Sequence, residues 1–200
     1  QIAAHMSRSN RTAWTVVIRT CIIDDYILKL ISEGIDTVIN LGAGLDTRPY
    51  RMNLPATLRW IEVDYPHMIQ LKEQKLADKK PQCQLRRIGV DLADDSARQK
   101  LFAELGAQTK KAMILTEGVV LYLKEDQVAS LARDLQGQPH FCFWVLEYLS
   151  PQIMKIIRGG KRKVQMQNAP LQFSPTDWFG FFRHLGWVPR EIRYMADVGQ

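Results

Sequence analysis

The chain has 200 residues, 46% of them hydrophobic, a net charge of +6 and a pI near 9.3. That length and apolar content suit one self-sufficient domain; no apolar run approaches the roughly 18 residues that cross a bilayer, and residues 1–10 are too polar for a signal peptide. Cys21, Cys83 and Cys142 lie far apart without metal-ligand spacing, which points to reduced thiols in a cytoplasmic protein with no membrane contact and no bound metal. The modest basic excess reads as a solvated surface, and nucleic acid is not an expected partner.

In chain order, "TAWTVVIRTCIIDDYILKLISEG" is too long for a strand and closes at Gly34, so residues 1–35 are expected to form one or two helices covering a sheet. Apolar, β-prone runs follow at Thr37 to Leu41, Leu58 to Val63, Gln84 to Val90, Ala112 to Leu115 and Phe141 to Leu146. Each ends in glycine or a carboxylate, namely Gly42, Asp64, Asp91, Glu117 and Glu147, at intervals of roughly 22–30 residues, about what a strand and its crossover helix consume. The helices between them carry their own signals: Pro66 opens one, Asp94 to Ser96 start the next and Gly106 stops it, and Lys124 to Leu135 ends at Gly137. The expected fold is α/β, a mostly parallel sheet with helices on both faces.

The last third reads differently. Ser150 to Asn168 carries Lys155, Arg158, Lys161, Arg162 and Lys163 without an acid, and residues 150–175 read as a mobile segment on the acceptor side. Thr176 to Leu185 is an aromatic helix stopped by Gly186, and Glu191 to Ala196 resembles a sixth strand. The whole of 1–200 is read as one domain.

In an open α/β sheet ligands sit at the carboxyl ends of the strands where the strand order reverses, so the turn after the first strand is the default site. A dinucleotide fingerprint has three glycines; here Gly42 and Gly44 are followed by Thr47, and Asp46 in the same turn would repel a pyrophosphate. An adenosine ligand with a cationic centre and no phosphate suits this charge pattern better, and S-adenosylmethionine is such a ligand. Gly42 and Gly44 would let backbone approach it, and Asp64, about twenty residues beyond, would accept both ribose hydroxyls.

Arg19 and Thr20 followed by Asp24, then "INLGAGLDTRPYRM", "WIEVDYP", "GVDL" and "TEGVVLYL", together resemble the leucine carboxyl methyltransferase family, which includes protein carboxyl methyltransferases and polyketide O-methyltransferases. The resemblance runs from Arg19 to Leu123 and implies a class I methyltransferase fold with S-adenosylmethionine as cofactor and S-adenosylhomocysteine as product. It assigns Arg19 to the methionine carboxylate, Gly42 and Gly44 to the turn, Asp64 to the ribose, Asp91 and Leu92 to the adenine, and Glu117 to the methionine end. The chemistry agrees: an arginine fork matches a carboxylate, Asp91 accepts from an adenine amino group, and Glu117 accepts from an ammonium. In-line methyl transfer needs alignment more than catalytic groups, so no catalytic residue is assigned.

The expected acceptor is a small-molecule carboxylate or hydroxyl, with a protein C-terminal carboxylate as the alternative. From other classes, a nicotinamide-dependent Rossmann oxidoreductase, a basic binding module and an RNA methyltransferase remain open. Family members run longer, with a larger insertion after the fifth strand and a seventh strand. Several residues have plainer readings. Arg19 would pair with Asp24 or Asp25, Asp46 with Arg48 to fix the turn, and Glu62 shares a face with Asp64. Glu147 reads as an exposed loop acid, His67 as a helix-surface residue and His184 as packed against the sheet. Tyr50 and Tyr122 read as buried with satisfied hydroxyls, and Trp178, Phe179, Phe181 and Phe182 as core.

Overall fold

A computed structural model describes residues 8–158 and 170–198. The chain divides into two compact units, one holding the described residues up to Gly34 and from Pro189 onward, the other Ile35–Val188.

The first unit is built on one helix, α1 (Arg8–Ser32), which ends at Gly34 in the left-handed region, φ 91°. The C-terminal residues run along it. Arg190 forks onto Glu33 at 2.7 and 3.0 Å, Lys29 reaches Glu191 at 2.5 Å, and Arg193 bonds Glu191 at 2.8 Å while its guanidinium lies 4.7 Å from the Tyr26 ring centre. The strand expected at Glu191 to Ala196 is absent; the segment is irregular and then closes into a short helix, α8 (Met195–Val198). The physical reason is that Arg190, Glu191 and Arg193 spend their charges on α1, where no strand offers a ladder to join.

The second unit is a five-stranded parallel sheet among the described residues, ordered β3-β2-β1-β4-β5. Its strands are β1 (Thr37–Leu41), β2 (Arg59–Asp64), β3 (Gln84–Gly89), β4 (Ala112–Thr116) and β5 (Phe141–Leu146), within a residue or two of the apolar runs. Leu41 stands opposite Val63 and Asn40 opposite Leu115, so β1 is central and buried along its whole length. Winding proceeds outward from β1 to β3, then returns across the sheet to β4. Right-handed crossovers therefore put α3 (Pro66–Lys75) on one face and α4 (Asp95–Ala107) and α5 (Glu125–Gln136) on the other. A four-residue helix, α2 (Arg48–Arg51), follows the first turn.

On the α4/α5 face, Ile39, Leu41, Ile61 and Val63 meet Leu101, Phe102 and Leu105 of α4 and Leu131 and Leu135 of α5. The buried positions of α5, Val128, Leu131, Ala132 and Leu135, have the i, i+3, i+4, i+7 spacing of one helical stripe. Asp94 caps α4 by accepting from the Ala97 amide at 3.0 Å, as its position before the apolar run predicted. A second core gathers Val120, Leu121, Val128, Met154, Leu171, Phe173, Trp178 and Phe182, with aromatic rings meeting edge to face. It joins α6 (Pro151–Arg158) and α7 (Trp178–His184) to α5.

The stretch read as a mobile basic segment thus begins as a helix. Residues 159–169, with Lys161, Arg162 and Lys163, lie outside the described residues. Beyond them, the Gln172 and Phe173 amides donate to the Leu121 carbonyl at 2.8 and 3.2 Å. The aromatic residues of α7 are core as expected. His184, however, is exposed, its ring nitrogen 2.6 Å from the Gly180 carbonyl oxygen one turn back, because it falls on the outer side of the helix whose inner side carries Trp178 and Phe182.

On the α3 face lies a buried ionic cluster. Glu62, fully inaccessible, accepts from Lys72 Nζ at 2.7 Å and Arg87 Nε at 2.9 Å, and Arg87 donates on to the Tyr50 hydroxyl at 2.5 Å. Burial pushes the Glu62 carboxyl above its ordinary value, against the opposing pull of the two cations. Removing one member of such a cluster typically costs about 3–5 kcal/mol, and we expect Lys72→Met to lower the unfolding free energy by about 3 kcal/mol at pH 8. A raised acid keeps its proton in the folded chain where the unfolded chain has released it. Its contribution is therefore most favourable at low pH and declines as pH rises from the ordinary carboxylate range through the raised value. Loss of a cation extends that window upward, so urea denaturation should show the gap between variant and wild type narrowing from pH 8 to pH 5; a gap that widens would contradict the assignment.

Candidate functional site

The carboxyl ends of β1 and β4 are neighbours whose crossovers leave in opposite directions, which opens a crevice between the turns that follow them. The turn after β1 is held to β2 by backbone: the Gly42 and Ala43 amides donate to the Val63 carbonyl at 2.8 and 3.2 Å. Gly42 and Gly44 have φ of 67° and 46°, a region L side chains rarely adopt. A Cβ on Gly42 would lie 2.5 Å from Cγ2 of Val119, in the turn after β4, whereas one on Gly44 would meet only the Gly42 carbonyl oxygen, 4.0 Å away. Gly42 is thus required for contact between the two turns, and Gly44 leaves open space beside the backbone.

Asp64, half-buried at the end of β2, accepts from the Gly44 amide at 2.7 Å through one oxygen and from the Tyr65 amide at 2.7 Å through the other. Each carboxylate oxygen retains a lone pair for a further donor. The Asp64 carbonyl accepts the Val90 amide at 2.8 Å, which fixes the next strand end beside it. There Asp91, exposed, accepts from the Ala93 amide at 2.9 Å. Leu92 packs partly against the core, its carbonyl accepting from Arg98 at 2.8 Å. Arg98, itself buried, also donates to Asp134 and to Ser130 of α5 at 2.8 Å, so the turn that carries Leu92 is anchored to two helices.

In the same turn after β1, Asp46 accepts from the Arg48 backbone amide at 2.9 Å, from Asn40 Nδ2 at 2.9 Å and from Arg48 Nη1 at 2.9 Å. The same Nη1 donates to Glu117 at 2.7 Å. The Asp46–Arg48 pair is as read from the sequence. The extension to Glu117 was not legible, because it joins residues far apart in the chain. Glu147, read as an exposed loop acid, instead accepts from the Gly118 amide and clamps the turn after β4, where Gly118 has φ 68°. One sequence signal anticipated this residue, the glycine or carboxylate that ends each β-prone run.

The fold therefore brings Gly42, Gly44 and Asp64 into one hydrogen-bonded turn, ties Glu117 to that turn through Arg48, and sets Asp91 and Leu92 on the adjoining strand end. Arg19 lies within α1, in the other unit. Among the plainer readings, His67 is exposed and stacks on Tyr65 with ring centres 5.6 Å apart. Tyr50 has its hydroxyl satisfied by Arg87, and Tyr122 is exposed rather than buried because it sits at the outer end of the short 3-10 turn Val120–Tyr122.

This architecture is shared with solved α/β structures. The chain aligns to a DUF574 family protein from Streptomyces avermitilis with a TM-score of 0.58 and 17% identity, over 86% of this chain and 66% of that one. It aligns to human N-acetylserotonin methyltransferase, solved with S-adenosylmethionine, with a TM-score of 0.55 and 12% identity, over 81% and 45%. Both likenesses define the fold, a Rossmann-like methyltransferase sheet.

Residues 2–136 match the leucine carboxyl methyltransferase family model, and the chain belongs to that family. Relatives include a Parafrankia sp. (strain EAN1pec) protein provisionally named an S-adenosyl-L-methionine-dependent methyltransferase, 34% identical over 122 residues, which cover 60% of this chain and 39% of that protein. A similarly named Streptomyces coelicolor protein is 34% identical over 121 residues, covering 60% and 42%. The match thus spans about two fifths of the length of these curated relatives.

Substitutions at the two glycines should differ in a definite order. Gly44→Ala should cost about 1 kcal/mol from its left-handed backbone alone, and Gly42→Ala about 1–3 kcal/mol more from collision with Val119. In a double-mutant cycle, Val119→Ala should recover most of that excess in Gly42→Ala and none of the loss in Gly44→Ala; equal losses at both glycines would refute the close approach.

Proposed function

We propose that this chain is an S-adenosylmethionine-dependent O-methyltransferase that acts on the carboxylate or hydroxyl of a small molecule in the cytoplasm. The observation carrying this reading is the turn itself: Gly44 opens space beside the backbone while Asp64, at the end of β2, keeps lone pairs on both oxygens directly next to it. The residues fit an adenosine with a positive centre. Asp46, Asp64, Asp91 and Glu117 stand at the strand ends around the crevice, where the Arg48 guanidinium pairs with Asp46 and Glu117, a balance that attracts a cation and repels a pyrophosphate.

When bound, the cofactor supplies a methyl group on a sulfonium. Asp64 would accept the ribose hydroxyls, Asp91 the adenine amino group, and Leu92 would give the ring an apolar contact. Glu117 would accept from the methionine ammonium. An acceptor carboxylate, ionised at neutral pH, needs no base from the protein. The names of the relatives and the S-adenosylmethionine complex of the human enzyme support the same cofactor.

Calorimetric titration tests the reading. S-adenosylhomocysteine should bind at micromolar Kd while NADH does not, and Asp64→Ala should weaken the first by tenfold or more, the loss of charge-assisted hydrogen bonds worth about 1.5–3 kcal/mol. Selective binding of NADH would replace the proposal with a nicotinamide enzyme. With cofactor binding established, transfer of labelled methyl to a panel of small carboxylic acids and phenols, against a peptide C-terminus, reads the acceptor class.

A further inference from the structure

On the α3 face, at the β3 edge of the sheet, a cavity of about 340 Å³ opens between the end of α3, the loop that follows it and the strand itself. None of the residues assigned to the cofactor lines it. Half-buried Leu76, Pro81 and Leu85 form its apolar wall. Beside them stand Arg87 of β3 and Tyr50 of α2, both members of the buried ionic cluster. Glu62 and Lys72 are enclosed and face each other at 2.7 Å, so the charge of that cluster that reaches the cavity is the Arg87 guanidinium, 12% accessible. Arg87 spends Nε on Glu62 at 2.9 Å and Nη2 on the Tyr50 hydroxyl; among the described residues its Nη1 has no partner. Because the Tyr50 oxygen accepts from Arg87, its own hydrogen is left for an acceptor, and no described residue supplies one. Both groups are fixed in place, Arg87 by Glu62 and Tyr50 by α2, whose Pro49 carbonyl accepts the Gln82 amide at 2.7 Å.

We propose that this cavity is a binding site for a small monocarboxylic acid with an apolar body, separate from the cofactor crevice. An adjacent guanidinium N–H and phenolic O–H match the two oxygens of one carboxylate, and the hydrogen bond from the guanidinium is charge-assisted. Because Glu62 and α2 already hold the two donors, little ordering remains to oppose binding. The body of the acid lies on Leu76, Pro81 and Leu85, and the volume falls at the small end of the range of ligand pockets, roughly 300–1,000 Å³. Charge at the mouth narrows the class. Exposed Glu73 and Lys79 line it, and Lys79 pairs with Asp78 at 3.0 Å, so two acids stand there against one base. That balance repels a multiply charged phosphate, whereas a single carboxylate keeps its two inner donors. The site does not depend on the cofactor reading, since no residue is shared.

The test titrates the protein at neutral pH, where the acid is ionised, with hexanoate, its neutral isostere hexanamide and inorganic phosphate, and follows backbone amide shifts by NMR. Hexanoate should move the Ala77, Leu85 and Arg87 amides and saturate at a low-millimolar Kd or tighter; hexanamide should bind about tenfold more weakly and phosphate should leave those amides in place. Two variants locate the site. Ala77→Trp, at an exposed position of the lining, fills the cavity and should abolish the hexanoate shifts. Tyr50→Phe keeps the ring, removes one donor and should weaken hexanoate about fivefold while leaving hexanamide within twofold. Should one variant fail to fold, the other decides together with the hexanamide comparison. Failure of hexanoate to bind overturns the proposal, as does equal binding of acid and amide. Binding that survives Ala77→Trp puts the acid elsewhere on the protein and overturns the assignment of this cavity.

Discussion

A reversal of winding between β1 and β4 is the constraint on which the site depends. Parallel strands joined by right-handed crossovers must send α3 and the α4/α5 pair to opposite faces once the chain returns past β1, so neither crossover lies over the gap between the turns after β1 and β4. Along that gap lie left-handed Gly42, Gly44 and Gly118, the Asp64 carboxylate on two amides, and the Arg48 bridge to Glu117. Gly42 shows how closely the turns approach, since a single Cβ there would run into Val119 from the opposite side.

Charge is handled differently on the two faces and at the edge. On the α4/α5 face a buried charge is that of Arg98, whose donors go to Leu92, Ser130, Asp134 and Asp95. On the α3 face Glu62 is fully buried between Lys72 and Arg87 and serves packing, though it shares a sheet face with Asp64. Position along the strand separates their roles. Two residues nearer the strand end, Asp64 meets backbone amides and solvent instead of cations, so its oxygens stay available.

Much of the second unit was legible in one dimension because its elements are set by local rules. Parallel strands read as apolar runs, and the fully buried β1 and the partly buried β5 begin and end where those runs do. The α4 and α5 boundaries follow from Asp94 and Gly137, residues whose capping chemistry acts within a turn. Local rules failed where a segment's environment is supplied from far away. Glu191 to Ala196 alternates like a strand, yet its charged residues are taken up by α1. Glu147 looks like any acid after a strand until the turn carrying Gly118 is folded against it.

The sequence by itself determined the α/β class, the order and near boundaries of the strands, the glycine turn, and the acids that stand at the strand ends, because periodicity, capping and turn chemistry are properties of neighbouring residues. Only the tertiary structure decided which of those acids act together. Arg48 reaches Glu117 across 69 positions of chain, and Glu62 and Asp64, two residues apart, are separated in role by what other elements bring to each. Long-range electrostatic partners depend on how crossovers return to the sheet, and no local pattern of residue types encodes that geometry.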